Sequence, residues 1–332
     1  MEHRFFGNTD LSCSALGFGT WEMSTTQYGH IDVDEACNAV AAAIDRGITL
    51  FDTAEVYGPY HSESLLCKAL GQRRKEIVLV TKVGFDYVED GDKVTTVGRK
   101  STYNHIIAHA EGCLRRLQTD WIDLLLIHWP DHDTPYDEPI RALEDLKAAG
   151  KIRHYGVSNF SPAMMDVCEK VGHLTANQVG YHMFDRRVER AVLPYCQEHG
   201  IGFMAYGSLG FGLLTGAFTP ETEFVSWDWR SSGKAFGLPL FEKEHFLKEL
   251  RVVARLQELA ARYDKTVAQL AVAWVLGHPA VTVALVGMRN PKELDENVAA
   301  VDWKLTAEDR AEIDRIFEEE GVPTYINAPQ AL

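Results

Sequence analysis

Four residues with acid–base side chains stand at or just after the ends of predicted strands: Asp52, Tyr57, Lys82 and His128. Asp52 follows the apolar residues ITLF, Lys82 is the last residue of IVLVTK, and His128 is the last residue of IDLLLIH. A titratable group at the end of a buried strand is costly unless it is paired. Three strands that end in this way predict a shared site.

Together these residues could protonate an oxygen that gains negative charge. A phenol such as that of Tyr57 has a pKa of about 10, and a nearby ammonium lowers it because the ammonium stabilises the phenolate. Asp52 would keep Lys82 charged and oriented, and a neutral His128 could hydrogen-bond to a substrate oxygen. This chemistry suits a carbonyl that accepts hydride. None of the four residues delivers hydride, so a nicotinamide cofactor would be needed.

The elements that would position these residues alternate between strand and helix. Apolar runs followed by helical patterns predict strands at 15–20, 48–54, 77–83, 122–129, 153–158, 175–180, 201–206 and 281–287. Strict alternation implies a parallel sheet, and this many units predict a (β/α)8 TIM barrel, an α/β fold. The rival, a doubly wound dinucleotide-binding sheet, lacks G-x-G-x-x-G after its first strand.

Additional segments surround the predicted barrel. Residues 3–13 read as an N-terminal β-hairpin, 84–101 as a polar loop and 207–243 as a long insert. Extra helices are expected after strand seven, at 244–262 and 267–277, and at the C-terminus from about 306. With no internal linker evident, we expect one domain over residues 1–332.

Strand parity relates the site to the barrel, because residues two apart in a strand share a face. The three sets that share a face with the polar groups are Ile48, Leu50, Asp52; Val78, Val80, Lys82; and Leu124, Leu126, His128. Both faces of a barrel strand are buried, so parity alone leaves the inward set open. If these sets point inward, the polar groups meet at the C-terminal mouth of the barrel.

Composition narrows the functional class. The net charge of −15 argues against nucleic-acid binding, which needs a basic face. No run approaches the length of a membrane helix, and MEHRFFGNTD lacks a signal-peptide core, so we expect no membrane partner. The six scattered cysteines are typical of thiols in a reducing compartment, which predicts a cytoplasmic protein.

Five stretches, in order and at barrel spacing, resemble the aldo-keto reductases over nearly the whole chain. They are FDTAEVYG from Phe51, VTKV from Val80, DLLLIHWP from Asp123, GVSNF from Gly156 and GMRNPKELDEN from Gly287. The resemblance implies an NAD(P)H-dependent oxidoreductase that interconverts an aldehyde or ketone and the corresponding alcohol. By the same resemblance Tyr57 is the general acid, Lys82 and Asp52 tune it, and His128 orients the carbonyl.

The resemblance also implies a cofactor site for NADP(H), with NAD(H) as the alternative. Ser158, Asn159 and Gln178 would hold the nicotinamide carboxamide, and Tyr206 would stack on its ring. The loop Gly207, Ser208, Leu209, Gly210 and Gly212 would wrap the pyrophosphate. The remaining cofactor residues are Thr20, Trp21, Asp52, Gly287, Arg289, Glu293, Glu296 and Asn297.

Two residues of this set have opposite implications for the choice between NADPH and NADH. Arg289 could pair with a 2′-phosphate and favour NADPH. Glu293 departs from the glutamine or arginine of many relatives, and its carboxylate would repel that phosphate or bind ribose hydroxyls. We expect NADP(H).

Substrate and partner predictions rest on fewer residues. Trp21 and Trp129, with Tyr57 and His128, are expected to line a pocket for a small carbonyl or alcohol. Trp227 and Trp229 of the insert could close over substrate or only anchor the loop. The sequence does not distinguish a monomer from a homo-oligomer, and the rival function is a cofactor-sensing regulatory subunit with little turnover.

Two histidine groups have a metal-ligand interpretation that we reject. His128, Asp131, His132 and Asp133 lie at a strand end beside Trp129-Pro130, which fits the reductase motif better than a metal site. His105 and His109 are one helical turn apart, but no third ligand is evident, and we expect them on an exposed helix face. No metal is predicted.

Overall fold

The computed structural model describes residues 1–24, 31–91 and 93–330. Its strands, in chain order, are β1 (His3–Phe5), β2 (Ser12–Ser14), β3 (Leu16–Gly19), β4 (Leu50–Asp52), β5 (Val78–Val83), β6 (Phe85–Asp90), β7 (Lys93–Arg99), β8 (Ile122–Ile127), β9 (Ile152–Ser158), β10 (Ala176–Gly180), β11 (Gly202–Tyr206) and β12 (Val281–Gly287). Within these residues, β3, β4, β5, β8, β9, β10, β11 and β12 form a closed parallel barrel, in that order around it. The predicted TIM barrel is confirmed.

Helices connect and cover the barrel strands. They are α1 (Val33–Asp45), α2 (His61–Leu70), α3 (Tyr103–Arg116), α4 (Asp137–Ala148), α5 (Pro162–Cys168), α6 (Val192–His199), α7 (Lys243–Ala261), α8 (Val267–Leu276), α9 (Pro291–Val298) and α10 (Ala307–Glu319). The predicted extra helices after strand seven and at the C-terminus are α7, α8 and α10. No helix in the described part of the chain is long and apolar enough to cross a membrane.

Local sequence signals set where two of these helices begin. The Ser161 hydroxyl accepts the Met164 N–H at the start of α5, and Pro162 takes the first helical position. Asn290 and Pro291 do the same at α9. Each cap satisfies a backbone donor that the first turn cannot pair, and proline has no such donor to lose. The cap on α9 matters for the site because this helix starts beside it.

The apolar residues that share a face with Asp52, Lys82 and His128, apart from Ile48, lie in the interior of the barrel. One core cluster groups Leu50, Val78, Val80, Leu124, Leu126, Ala176, Met204, Val283 and Leu285 from the strands. The intervening residues, such as Phe51, Leu79 and Leu125, belong to the outer core between strands and helices. The grouping of Ile48 with Leu50 and Asp52 is wrong, because β4 begins at Leu50 and Ile48 packs in the outer core.

The predicted N-terminal hairpin closes the end of the barrel opposite the strand carboxyl ends. β1 and β2 pair antiparallel, and Phe6, Leu11 and Cys13 join the interior cluster. The Arg4 guanidinium donates to the carbonyl of Val281, the first residue of β12. A glycine is needed nearby, because a Cβ on Gly17 would lie within 2.9 Å of three interior side chains. The closed end leaves the other mouth as the open one.

Two segments differ from or extend the sequence prediction. The polar loop predicted at 84–101 is wrong, because β6 and β7 form an antiparallel hairpin there, from Phe85 opposite Arg99 to Asp90 opposite Lys93. The insert at 207–243 contains two short 3-10 helices, Gly210–Thr215 and Trp229–Ser232. Both segments follow carboxyl ends of barrel strands, so they add walls to the open mouth.

Candidate active site

A cavity of about 600 Å3 opens at the carboxyl ends of the barrel strands. Five strands contribute their last residue to its wall: Gly19, Asp52, Ser158, Tyr206 and Gly287. His128, which directly follows β8, lines it as well. Parallel strands bring their carboxyl ends to one face, and barrel enzymes place their reacting groups there.

The Lys82 ammonium joins two of the predicted catalytic groups. Its Nζ lies 2.6 Å from Oδ1 of Asp52 and 3.1 Å from the phenolic oxygen of Tyr57. It also donates to the Thr53 carbonyl at 2.9 Å, so all three ammonium hydrogens have acceptors. The other Asp52 oxygen accepts the Gln178 amide at 2.8 Å. These bonds hold the ammonium against Tyr57.

Burial governs the charge states of the pair. Burial lowers the pKa of the Lys82 ammonium, while the carboxylates of Asp52 and Glu63 act in the opposite direction. Burial raises the pKa of the Asp52 carboxyl, against the attraction of Lys82 and the hydrogen bond from Gln178. Each partner therefore keeps the other charged, and removing either would leave an uncompensated buried charge.

His128 presents a neutral imidazole to the cavity. Its ring meets that of Tyr57 edge-on, with centroids 5.8 Å apart. Burial lowers the pKa of His128 well below its usual value, and the positive charges of Lys82 and Arg99 lower it further. The buried Nδ1 atom has no hydrogen-bond partner among the described groups. A neutral imidazole beside Tyr57 can hydrogen-bond to a ligand oxygen.

A polar wall spans the adjacent strands β9, β10 and β11. The Asn159 side chain donates to the His128 carbonyl at 3.2 Å and accepts the Tyr206 hydroxyl at 3.0 Å. The Ser158 hydroxyl donates to the Gln178 carbonyl at 2.8 Å. Asn159 has a left-handed backbone, with φ of 65°, which directs its amide into this network. The wall offers hydroxyl and amide groups to a polar ligand.

The loop after β11 is shaped by glycine. Gly207, Gly210 and Gly212 have positive φ values of 67°, 57° and 99°, which residues with a Cβ rarely adopt. Gly207 and Gly212 line the cavity with the intervening Ser208, Leu209 and Phe211. Gly210 does not line the cavity. Its N–H donates a hydrogen bond to the Gly207 carbonyl at 2.7 Å, which closes the turn.

Glu293 holds the guanidinium of Arg289 at the start of α9. Arg289 Nη2 lies 2.7 Å from Oε1 of Glu293, and Nε lies 3.1 Å from the same oxygen. The Arg289 backbone N–H bonds the other Glu293 oxygen at 2.9 Å. The residue predicted to meet a 2′-phosphate is thus already paired with the carboxylate predicted to repel it.

The structure brings most of the predicted cofactor residues to one cavity. Those in its wall are Trp21, Asp52, Ser158, Asn159, Gln178, Tyr206, Gly207, Ser208, Leu209, Gly212, Gly287, Arg289, Glu293, Glu296 and Asn297. Thr20 does not line it, because its buried hydroxyl donates to the Asp52 carbonyl at 3.0 Å. Lys82 lies behind the wall, with its ammonium against the Tyr57 oxygen. Thr20 and Gly210 shape the backbone around the cavity instead.

Aromatic side chains form another part of the wall. Trp21 and Trp129 line the cavity, together with Tyr57 and His128. The sequence reasoning missed Phe85, Phe211 and Phe236, which line it too. Phe236 stacks on Trp129 at 6.1 Å and lies 5.3 Å from Tyr206. Phe85 could have been found from its place just after β5, whereas Phe211 and Phe236 sit in the insert and carry no such signal.

The two tryptophans of the insert have different surroundings. Trp229 stacks on Trp21 with ring centroids 5.5 Å apart, which fastens the insert to the segment after β3. Trp227 is 57% exposed. Neither is among the described residues of the cavity wall. The anchoring role, one of the two considered from the sequence, fits Trp229.

His105 and His109 pack beneath the β6–β7 hairpin, so the expected exposed helix face is wrong. His109 Nδ1 lies 2.7 Å from a buried Glu55 oxygen, and His105 Nε2 lies 2.8 Å from the Phe85 carbonyl. The hairpin, missed in the sequence, covers them. The described residues contain no group of three His, Cys, Asp or Glu side chains placed to hold a metal.

This arrangement is suited to proton transfer at an oxygen. Tyr57 lines the cavity beside His128, and the Lys82 ammonium at its oxygen stabilises a phenolate. The neutral imidazole adds a second polar contact for the same oxygen. The aromatic wall beside them is suited to an apolar ligand body.

Comparison with known proteins places this geometry in a family. The model of the aldo/keto reductase family matches residues 15–318. The chain is 38% identical to aldo-keto reductase YhdN of Bacillus subtilis, over 96% of this chain and 94% of the relative. It is 32% identical to the NADH-specific methylglyoxal reductase of Escherichia coli, over 91% and 94% of the two chains.

Solved structures of similar proteins support the same family assignment. A glycerol dehydrogenase from Gluconobacter oxydans superposes with a TM-score of 0.88 at 37% identity, covering 97% of this chain and 96% of that one. An aldo-keto reductase from Klebsiella pneumoniae in complex with NADPH superposes with a TM-score of 0.74 at 29% identity, covering 96% and 95%. The chain therefore belongs to the aldo/keto reductase family.

Proposed function

We propose that this protein interconverts an aldehyde or ketone and the corresponding alcohol with NADP(H), and that Tyr57 is its general acid and base. One observation supports this best: the Lys82 ammonium is within hydrogen-bond distance of both Tyr57 and Asp52, at 3.1 and 2.6 Å. When bound, the nicotinamide supplies the hydride for the carbonyl carbon. In the reverse direction Tyr57 removes the alcohol proton.

The chain's own groups carry the proton chemistry. The Tyr57 phenol gives its proton to the carbonyl oxygen as that oxygen gains charge, and Lys82 stabilises the phenolate left behind. Neutral His128 donates a hydrogen bond to the same oxygen and orients it, since burial keeps the imidazole uncharged. Asp52 keeps Lys82 charged in a site that would otherwise favour the neutral amine.

The cavity has groups that fit a nicotinamide dinucleotide. At one end, Ser158, Asn159 and Gln178 offer amide and hydroxyl groups beside Tyr206, as a carboxamide and its ring require. At Gly212 any side chain would collide with Phe218 and Arg230, at 2.9 and 3.1 Å, so the loop stays bare there. A bare glycine backbone suits close approach by a pyrophosphate.

The preference for NADP(H) over NAD(H) depends on Arg289. Its side chain is 54% exposed and could reach a 2′-phosphate, but Glu293 holds the guanidinium now. The Klebsiella relative was solved with NADPH, and the Escherichia coli relative is NADH-specific. We favour NADP(H), because a phosphate dianion attracts a guanidinium more strongly than a carboxylate does, with NAD(H) as the alternative.

The substrate we propose is a small carbonyl compound with an apolar or aromatic body. Trp21, Phe85, Trp129 and Phe236 supply flat apolar surface next to Tyr57 and His128. Such rings pack well against an aromatic or short aliphatic aldehyde. We place the enzyme in the cytoplasm, a proposal supported by six unpaired cysteine thiols.

The test compares Tyr57→Phe with Tyr60→Phe in NADPH consumption with an aromatic aldehyde. Both substitutions remove one hydroxyl from the same loop, but only Tyr57 lines the cavity. We expect Tyr57→Phe to lose at least about 100-fold in kcat with NADPH binding retained, and Tyr60→Phe to stay within about threefold. If wild type binds NADPH but reduces no carbonyl in a broad panel, the regulatory-subunit function replaces this one.

A further inference from the structure

Glu22 brings into the cavity a carboxylate that the proposed chemistry does not use. It lies in the short 3-10 helix Trp21–Ser24, directly after β3, and lines the same cavity as Gly212 and Arg289. Its carboxyl group presses on Gly287: a Cβ built there would lie only 2.0–2.1 Å from the Glu22 carboxyl atoms. A carboxylate therefore covers the end of β12 in the region assigned to the dinucleotide.

The cations that face Glu22 are already engaged. Arg289 is bound by Glu293 from the start of α9, with contacts of 2.7 and 3.1 Å. Arg230 from the insert is bound by Asp228, with contacts of 2.6 and 2.9 Å. With Glu22 ionised, this group has two guanidiniums and three carboxylates, a net charge of −1.

Among the residues that the structure describes, other titratable groups near this helix do not offset that charge. Glu296 also lines the cavity and is a further carboxylate. Helix α2 packs on the 3-10 helix as well; its buried Glu63 bonds Thr81 and Arg116, and its His61 and Lys68 are exposed. The surroundings of Glu22 are thus unfavourable to an incoming anion.

The protonation state of Glu22 changes near neutral pH. Burial raises the pKa of Glu22 to about 7, Arg289 and Arg230 lower it, and Glu293 raises it. Both forms are therefore present at working pH, and an anion placed beside the carboxyl would raise that pKa further.

We propose that Glu22 is a proton-linked gate on cofactor binding: the dinucleotide binds with Glu22 protonated, and the ionised carboxylate opposes it. This inference rests on the proposed function, because it needs a nicotinamide dinucleotide in this cavity. A protonated carboxyl donates a hydrogen bond to a phosphate oxygen, whereas a carboxylate has only acceptors and repels it. Binding therefore takes up a proton from the buffer, and affinity falls as pH rises.

The test measures the Kd of NADH and of NADPH by quenching of protein fluorescence from pH 6 to 8.5 at constant ionic strength. NADH is the main probe, because it has no 2′-phosphate to titrate. Glu22→Gln keeps the size of the side chain and removes the charge. Glu258→Gln, at an exposed position of α7, controls for the loss of one negative charge. Calorimetry at pH 7.5 in buffers of different ionisation enthalpy counts the protons taken up.

We expect the wild-type Kd for NADH to rise by up to about tenfold per pH unit above pH 7, as uptake of one proton requires. The Kd of Glu22→Gln for NADH should change by no more than about twofold across this pH range, and this variant should take up no proton when NADH binds. Glu258→Gln should behave as wild type. Equal pH dependence in wild type and Glu22→Gln, with binding intact, would overturn the gate alone. No binding of either dinucleotide by any variant would overturn the proposed function and the gate together.

Discussion

The buried Asp52–Lys82 pair allows stability and catalysis to be separated by three variants. Asp52→Asn and Lys82→Met each remove one charge at nearly constant volume, and the double variant removes both. Lys82 is fully buried and Asp52 is 3% exposed, so each single change leaves a buried charge without its counterion. Breaking such a pair costs roughly 3–5 kcal/mol.

The hydrogen bonds that remain in each single variant place the expected loss of stability near the lower end of this range. After Asp52→Asn, Lys82 still has the Thr53 carbonyl and the Tyr57 hydroxyl as acceptors, and after Lys82→Met, Asp52 keeps its Gln178 donor. We therefore expect each single variant to lose about 3 kcal/mol, or roughly 6 °C in Tm at about 2 °C per kcal/mol. The double variant should lose about 1 kcal/mol, because no charge is left unpaired.

Activity should not follow stability across these three variants. Lys82→Met and the double variant remove the ammonium from Tyr57, and Asp52→Asn removes the carboxylate that orients it, so NADPH consumption with an aldehyde should fall at least about 100-fold in each. Lys234→Met, which breaks the exposed Lys234–Glu242 contact, is the control and should change stability by less than about 0.5 kcal/mol. Single variants as stable as wild type, or a double variant that recovers activity, would refute the reasoning.

Three further predictions concern other parts of the molecule. Burial raises the pKa of Glu249 from 4.5 to about 9, so the folded chain holds a proton that the unfolded chain releases, and stability falls as pH rises between those values. Glu249→Gln should then raise Tm at pH 8 by several degrees and flatten its pH dependence; an unchanged slope contradicts this. Glu293→Gln frees Arg289 for a 2′-phosphate and should tighten NADPH binding about threefold more than NADH binding, and an equal effect on both would count against it. Phe236→Ala should raise KM for an aromatic aldehyde about tenfold more than for a small aliphatic one, and equal changes would exclude that contact.

The barrel could be predicted because its signals are local. Apolar runs of strand length alternate with capped helices, and the caps at Ser161 and Asn290 operate as expected. Parity grouped Leu50, Val80 and Leu126 with the polar strand ends, since a side-chain period of two is a property of the strand alone, and the interior cluster shows that this set points inward. The grouping was wrong for Ile48, because the strand begins two residues later than predicted.

The missed features depend on contacts distant in sequence. The β6–β7 hairpin is polar and mostly exposed, so it has little of the apolar alternation that marks a strand. Phe236 reaches the cavity because the insert folds back on Trp129 and Tyr206. Glu22 faces the cavity because Gly287 leaves room for it, which is visible only when β3 and β12 are paired.

The most direct test of the central claim follows the hydrogen itself. The enzyme is given NADPH deuterated at the transferring position of C4, with an aromatic aldehyde, and the alcohol is analysed by mass spectrometry. We predict one deuterium on the former carbonyl carbon with wild type, and at most a trace of labelled product with Tyr57→Phe. Alcohol that forms without cofactor deuterium, or full labelling at undiminished rate in Tyr57→Phe, would contradict the account.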